Sequence, residues 1–127
     1  MRPFGGSGGS DGRAERRMKH SVRQTPGSVI VSFDGEIDLE SSPAVRDALL
    51  ASVGSASRGR VLVDLAAVPY IDSSGIASLV EAYQKARQTG VGFGLATVRP
   101  AVLRVLQLSR LDKIFPIHAS IEEGLKS

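Results

Sequence analysis

There is no cysteine in this chain of 127 residues, which excludes disulfides, thiolate nucleophiles and Cys-ligated zinc or iron–sulfur centres. There is no tryptophan either, and aromatic residues make up only 5% of the total, so a core must be built from Val, Leu, Ile and Ala. No apolar run approaches the ~18 residues that a membrane-spanning helix requires. The first twenty residues hold no apolar stretch of the kind a secretory signal needs, so a cytoplasmic protein is expected. Residues 1–20 carry Arg2, Arg13, Arg16, Arg17 and Lys19 against Asp11 and Glu15, which accounts for the whole net charge of +3. A nucleic-acid-binding module carries its basic stripe on the folded part, interleaved with aromatics. Here the excess sits among Gly5, Gly6, Gly8, Gly9 and Gly12. Residues 1–19 therefore read as a flexible Gly/Ser/Arg-rich leader. Residues 20–127 read as a single domain with no direct nucleic-acid role.

What the chain does contain is regular alternation. Ser21–Gln24 reads as a short first strand, Thr25-Pro26-Gly27-Ser28 as a turn and Val29–Phe33 as a β-branched second strand. Val45, Ala48, Leu49 and Val53 share one face of a helix over 43–53, with Pro43 in its first turn and Ser41 or Ser42 as its cap. Gly54–Gly59 reads as a loop. Arg60–Leu65 is almost continuously apolar, as a central strand covered on both faces would be. Ile76, Leu79, Val80, Tyr83 and Ala86 then mark an amphipathic helix that ends near Gly90. Gly92–Thr97 follows as a strand, Pro100 opens a short helix, Ile114–Ile117 reads as an edge strand that tolerates Pro116, and Ile121–Lys126 as a terminal helix. The order implies an α/β fold with one central, mixed, largely parallel sheet of four to five strands packed with about four helices.

Catalytic chemistry has few parts available. The two histidines are His20 and His118, neither placed as a base beside a nucleophile. Ser73 and Ser74 lie in neither a G-x-S-x-G elbow nor an S-x-x-K motif. Gly92-Phe93-Gly94 lacks the third glycine and the strand-to-helix turn of a dinucleotide fingerprint. Asp34, Glu36 and Asp38 alternate without the rest of a calcium loop and read as a solvated turn approaching a helix N-terminus. No catalytic residue, metal or cofactor is expected.

The segment Ile71-Asp72-Ser73-Ser74-Gly75 asks for more explanation. A plain N-cap by Asp72 or Ser73, worth ~1 kcal/mol, accounts for one small polar residue. Three adjacent ones exceed that need. Gly75 in a first helical turn costs ~1 kcal/mol relative to Ala, as if something had to approach the backbone. The end of a parallel strand feeding a helix is also where α/β sheets present ligand-facing groups. A phosphate there would meet free N–H groups and the helix dipole, and would add about −1.5 to −2 charges beside Asp72. That chemistry suits a switch better than a catalyst.

Phe33-Asp34-Gly35-Glu36-Ile37-Asp38, Val63-Asp64-Leu65, Ile71-Asp72-Ser73-Ser74-Gly75 and Arg99-Pro100-Ala101-Val102, in this order of elements, resemble a STAS domain, and more narrowly the bacterial anti-sigma factor antagonists. The resemblance covers roughly residues 20–125. It implies a STAS-like fold and a binding module rather than an enzyme. An unphosphorylated antagonist holds an anti-sigma factor with a GHKL-type serine kinase fold and so releases a sigma factor for transcription. The kinase, using its own ATP and Mg²⁺, then phosphorylates the antagonist and is let go, and a serine phosphatase resets the switch. Carried over, the resemblance makes Ser73 the phosphoacceptor, with Asp38, Asp72, Ser74, Gly75 and Ile76 joining it as the partner-binding surface. It also leaves an alternative: such domains serve as cytoplasmic subunits of lipid-transporting ABC systems, bound to the transporter ATPase or permease. Ile76-Ala77-Ser78-Leu79 departs from the Gly-Leu-Gly often found after this motif, which bears on partner identity rather than fold.

Overall fold

The computed structural model describes residues 18–127. The expected leader, residues 1–19, falls almost wholly outside them. β1 (Lys19–Thr25) and β2 (Ser28–Asp34) form an antiparallel hairpin. α1 (Ser42–Ser55), β3 (Arg60–Ala67), α2 (Ser73–Thr89), β4 (Gly92–Ala96) and α3 (Pro100–Leu108) follow. A 3₁₀ turn (Leu111–Lys113), β5 (Ile117–His118) and α4 (Ile121–Lys126) complete the chain. The five strands lie in sequence order, and every pair after the hairpin is parallel. This is the mixed, largely parallel α/β sheet the alternation implied.

Strand alternation divides the sheet's residues between two faces. Val29, Val31 and Phe33 of β2, Val61, Val63 and Leu65 of β3, and Phe93 and Leu95 of β4 join one core with Val45, Leu49, Leu79 and Ala82 of α1 and α2. Ile30 and Leu62 are buried outside that cluster. α4 lies over Leu62, whose terminal methyls would stand 2.9 Å from a Cβ at position 124, and the Arg60 guanidinium donates to the Gly124 carbonyl. β3 is thus covered on both faces, which is why its sequence is nearly unbroken in apolarity.

Local signals explain the helix ends. Gly90 closes α2 in the left-handed region at φ 74°, where its N–H reaches back to the last carbonyls. Pro43 and Pro100 open α1 and α3 in the first turn, where a missing N–H costs nothing. Three expectations need correction. α1 runs on through Gly54 and Ser55, which read as loop. Ser41 stands at the N-cap position of α1 but its side chain does not cap the helix. The last strand is not Ile114–Ile117 but Ile117–His118. The 3₁₀ turn takes up Leu111–Lys113 and Phe115 turns inward to pack with Tyr83 and Phe93. Pro116 stays outside the strand, needing no N–H, while its carbonyl accepts the Leu95 N–H at 2.9 Å.

Candidate functional site

Beyond β2 and β3 the chain continues as two loops that run side by side. Gly35 N–H donates to the Ala67 carbonyl, Ile37 N–H to Tyr70, and Asp72 N–H to Ile37, each at 3.0 Å. Ile37 and Ile71 pair there as an isolated parallel bridge, and both side chains are fully buried. This short ladder is what brings residues 36–41 next to 72–75, although more than thirty positions separate them in sequence.

The two aspartates do the same job for neighbouring helices. One Asp38 carboxylate oxygen accepts the N–H groups of Glu40 and Ser41 at 3.0 Å each. Ser41 Oγ accepts the Asp38 N–H and donates to the Glu36 carbonyl, both at 2.9 Å. Asp38 therefore fixes the turn leading into α1, and its carboxylate faces backbone donors; among the described residues no group of three acidic or histidine side chains is placed to hold a metal. Asp72 is the N-cap of α2. Its Oδ1 accepts the Ser74 N–H at 2.9 Å, the Ser74 hydroxyl at 2.6 Å and the Gly75 N–H at 3.2 Å. The Ser74 hydroxyl foremost, then the Gly75, Ser74 and Leu39 N–H groups, hold the Asp72 carboxyl below the usual carboxylate range against an opposing cost of desolvation.

Between these anchored groups Ser73 is exposed. It is the first residue of α2, and among the described residues its hydroxyl makes no hydrogen bond, because Asp72 is bound to Ser74 instead. The two adjacent hydroxyls therefore differ in role: Ser74 is part of the cap, and Ser73 stands open at the helix N-terminus. Gly75 is buried. A Cβ there would lie 2.5 Å from Ile37 Cγ2 and 2.5 Å from Ile71 Cγ1. The group that approaches its backbone is the domain's own isoleucine pair. Ile76 is half-buried and packs against the core.

Three contributors were not evident from sequence. Leu39 is 77% exposed and Tyr70 47% exposed, so the two loops that meet at the Ile37–Ile71 bridge present an apolar rim. Ser78 is buried between α1 and α2 and donates to the carbonyls of Ser42 and Ser74 at 3.3 and 3.2 Å. A leucine set among acids and off the apolar face of α1 was the available hint for Leu39. His20 lies on β1, paired with Phe33, and His118 on β5; among the described residues neither side chain hydrogen-bonds to Asp38 or to residues 72–76.

Among the described residues no helix is long and apolar enough to cross a membrane. The family model of the STAS domain matches residues 19–124. The chain is 30% identical over 92 residues to the anti-sigma F factor antagonist of Paenibacillus polymyxa, covering 72% of this chain and 79% of that protein. It is 29% identical over 107 residues to the anti-sigma-B factor antagonist of Bacillus subtilis, covering 83% and 94% respectively. The crystal structure of an anti-sigma factor antagonist from Mycobacterium paratuberculosis superposes with a TM-score of 0.79 at 32% identity, over 87% of this chain and 93% of that one.

Proposed function

Because the chain belongs to the STAS domain family, we propose that it is an anti-sigma factor antagonist whose binding surface is the Asp38–Asp72 face and whose switch is Ser73. The reading places it in the cytoplasm as a docking module that supplies no catalytic group. Its partner is an anti-sigma factor with a GHKL-type serine kinase fold, and a serine phosphatase restores the unmodified form. The observation that carries it is the state of Ser73. Its hydroxyl is exposed and unpartnered at the start of a helix, on a loop that Asp72, Ser74 and Gly75 hold rigid from beneath.

Asp72 already places one negative charge against the first turn of α2. A phosphoryl group on Ser73 adds about −1.5 to −2 more without needing any buried group to move. The fold stays intact while the surface changes from neutral hydroxyl and apolar rim to a dense anionic patch. Leu39 and Tyr70 supply apolar area for the unmodified complex, and the added charge opposes their desolvation. Ser73, Asp38, Asp72, Ser74, Gly75 and Ile76 thus divide into one modified atom and its supporting frame.

The test is a paired capture from the native host's lysate, with wild type and Ser73→Asp as baits. Retention of a GHKL-type kinase by wild type alone is expected. An ABC ATPase held equally by both baits would overturn this reading in favour of a transporter subunit.

A further inference from the structure

The C-terminal half of α2 and the 3₁₀ turn enclose an open groove of about 780 Å³. Its floor is apolar. Tyr83 and Leu111 form its half-buried surface, and Phe115, only 3% exposed, backs Tyr83 edge to face with ring centroids 5.3 Å apart. Its rim is cationic. The Arg87 guanidinium lies 5.9 Å from the centre of the Tyr83 ring, and Lys113 also lines the groove. Neither cation forms a salt bridge among the described residues, and no acidic residue lines the groove. Ile114 at its edge is 48% exposed. The matching ligand is a large apolar side chain with carboxylates on either side.

The opposite end of the same molecule presents that ligand. Residues 34–40 carry Asp34, Glu36, Asp38 and Glu40, and between them Leu39 is 77% exposed. The charge polarity extends through the fold: residues 34–81 hold eight acidic and three basic side chains, and residues 82–121 hold six basic and one acidic, Asp112. The loop cannot fill its own groove. It is tied to the N-terminus of α2 by the Asp72 N–H, which donates to the Ile37 carbonyl at 3.0 Å, and Arg87 lies fifteen residues beyond Asp72, about 22 Å at 1.5 Å per residue.

We propose that the chain self-associates head to tail, with Leu39 of one copy seated on Tyr83 and Leu111 of the next and with Glu36 and Glu40 facing Arg87 and Lys113. The contact joins unlike surfaces, so it propagates into short chains rather than closing as a two-fold dimer. One side chain in one groove is a small interface, so association is weak and weakens further as salt screens the charges. The inference does not depend on Ser73 being modified. It does place a second copy on the apolar rim, so self-association and partner binding compete for Leu39.

Sedimentation velocity on the whole purified chain tests it, from about 10 μM to about 1 mM at low and high salt, the range in which small interfaces associate. The wild-type weight-average coefficient is expected to rise with concentration at low salt and to flatten at high salt. Arg87→Glu/Lys113→Glu has no usable groove and Leu39→Asp has no usable anchor, so each alone stays monomeric. Mixed in equal amounts they form dimers and nothing larger, because one anchor and one groove remain. All three substituted side chains are at the surface, and a thermal melt of each variant confirms that it is folded. A monomeric wild type at every concentration, a mixture that stays monomeric, or unaltered association of Leu39→Asp would each overturn the proposal.

Discussion

Replacing Gly75 with alanine sets two effects of known sign against each other. In a helix with open surroundings the change stabilises by ~1 kcal/mol, since alanine has the higher propensity. At Gly75 the new methyl would lie 2.5 Å from Ile37 Cγ2 and 2.5 Å from Ile71 Cγ1, with Ile71 Cδ1 at 3.0 Å. The two closest atoms sit next to the backbone, on fully buried side chains, and cannot swing away as the end of a flexible chain would. Relief requires the Ile37–Ile71 bridge to open, which strains the Ile37–Tyr70 and Asp72–Ile37 hydrogen bonds. Overpacking of this kind costs about 1–3 kcal/mol. The net expectation for Gly75→Ala is a loss of about 0–2 kcal/mol, at roughly 4 °C in Tm per kcal/mol for a domain of this size. Gly54 is the internal control. It lies in the last turn of α1 with nothing within 4 Å of where a Cβ would be, so Gly54→Ala should gain about 0.5–1 kcal/mol. Urea unfolding of both variants, with amide shifts at Ile37, Tyr70 and Asp72, provides the readout. If Gly75→Ala stabilises as Gly54→Ala does, the account of the loop's support is wrong.

Three further outcomes follow from the same geometry. Asp72→Ala should cost about 1–2 kcal/mol, since it removes the acceptor for the Ser74 and Gly75 N–H groups. The Asp72 carboxyl titrates below its usual range in the fold, so its contribution is present above the unfolded value of about 4 and is lost as pH falls through the lower folded value. The stability gap between wild type and Asp72→Asn should therefore close below about pH 4 in acid unfolding curves. Ser73→Ala and Ser73→Asp should each stay within about 0.5 kcal/mol of wild type in urea unfolding, because the side chain is exposed and unpartnered. Ser78→Ala should cost up to about 1 kcal/mol by the same assay, since its buried hydroxyl links the Ser42 and Ser74 carbonyls.

Much of the fold was legible because local chemistry and global placement agree. The apolar period of α2 runs between a cap at Asp72 and a left-handed glycine at Gly90, and β3 is apolar on both faces because both are covered. The misplaced last strand shows where this fails. Ile114 to Ile117 is β-branched and aromatic in character, but Phe115 is claimed by Tyr83 and Phe93, and no local pattern announces that. At the site, the three small polar residues after Ile71 were conspicuous, yet their division of labour was not. That Ser74 rather than Ser73 bonds to Asp72 depends on side-chain geometry. The reason for Gly75 lies in Ile37, distant in sequence and adjacent only through the loop ladder. Leu39 escaped notice because an exposed leucine is identified by what fails to cover it.

The most direct test of the account is the affinity of the captured anti-sigma factor for the purified protein before and after incubation with ATP and Mg²⁺, with the modified residue mapped by mass spectrometry. The account predicts phosphate on Ser73 alone, a loss of binding in the modified protein, and neither effect in Ser73→Ala, which still binds. Phosphate at another residue, or undiminished binding by the Ser73-phosphorylated protein, would contradict it.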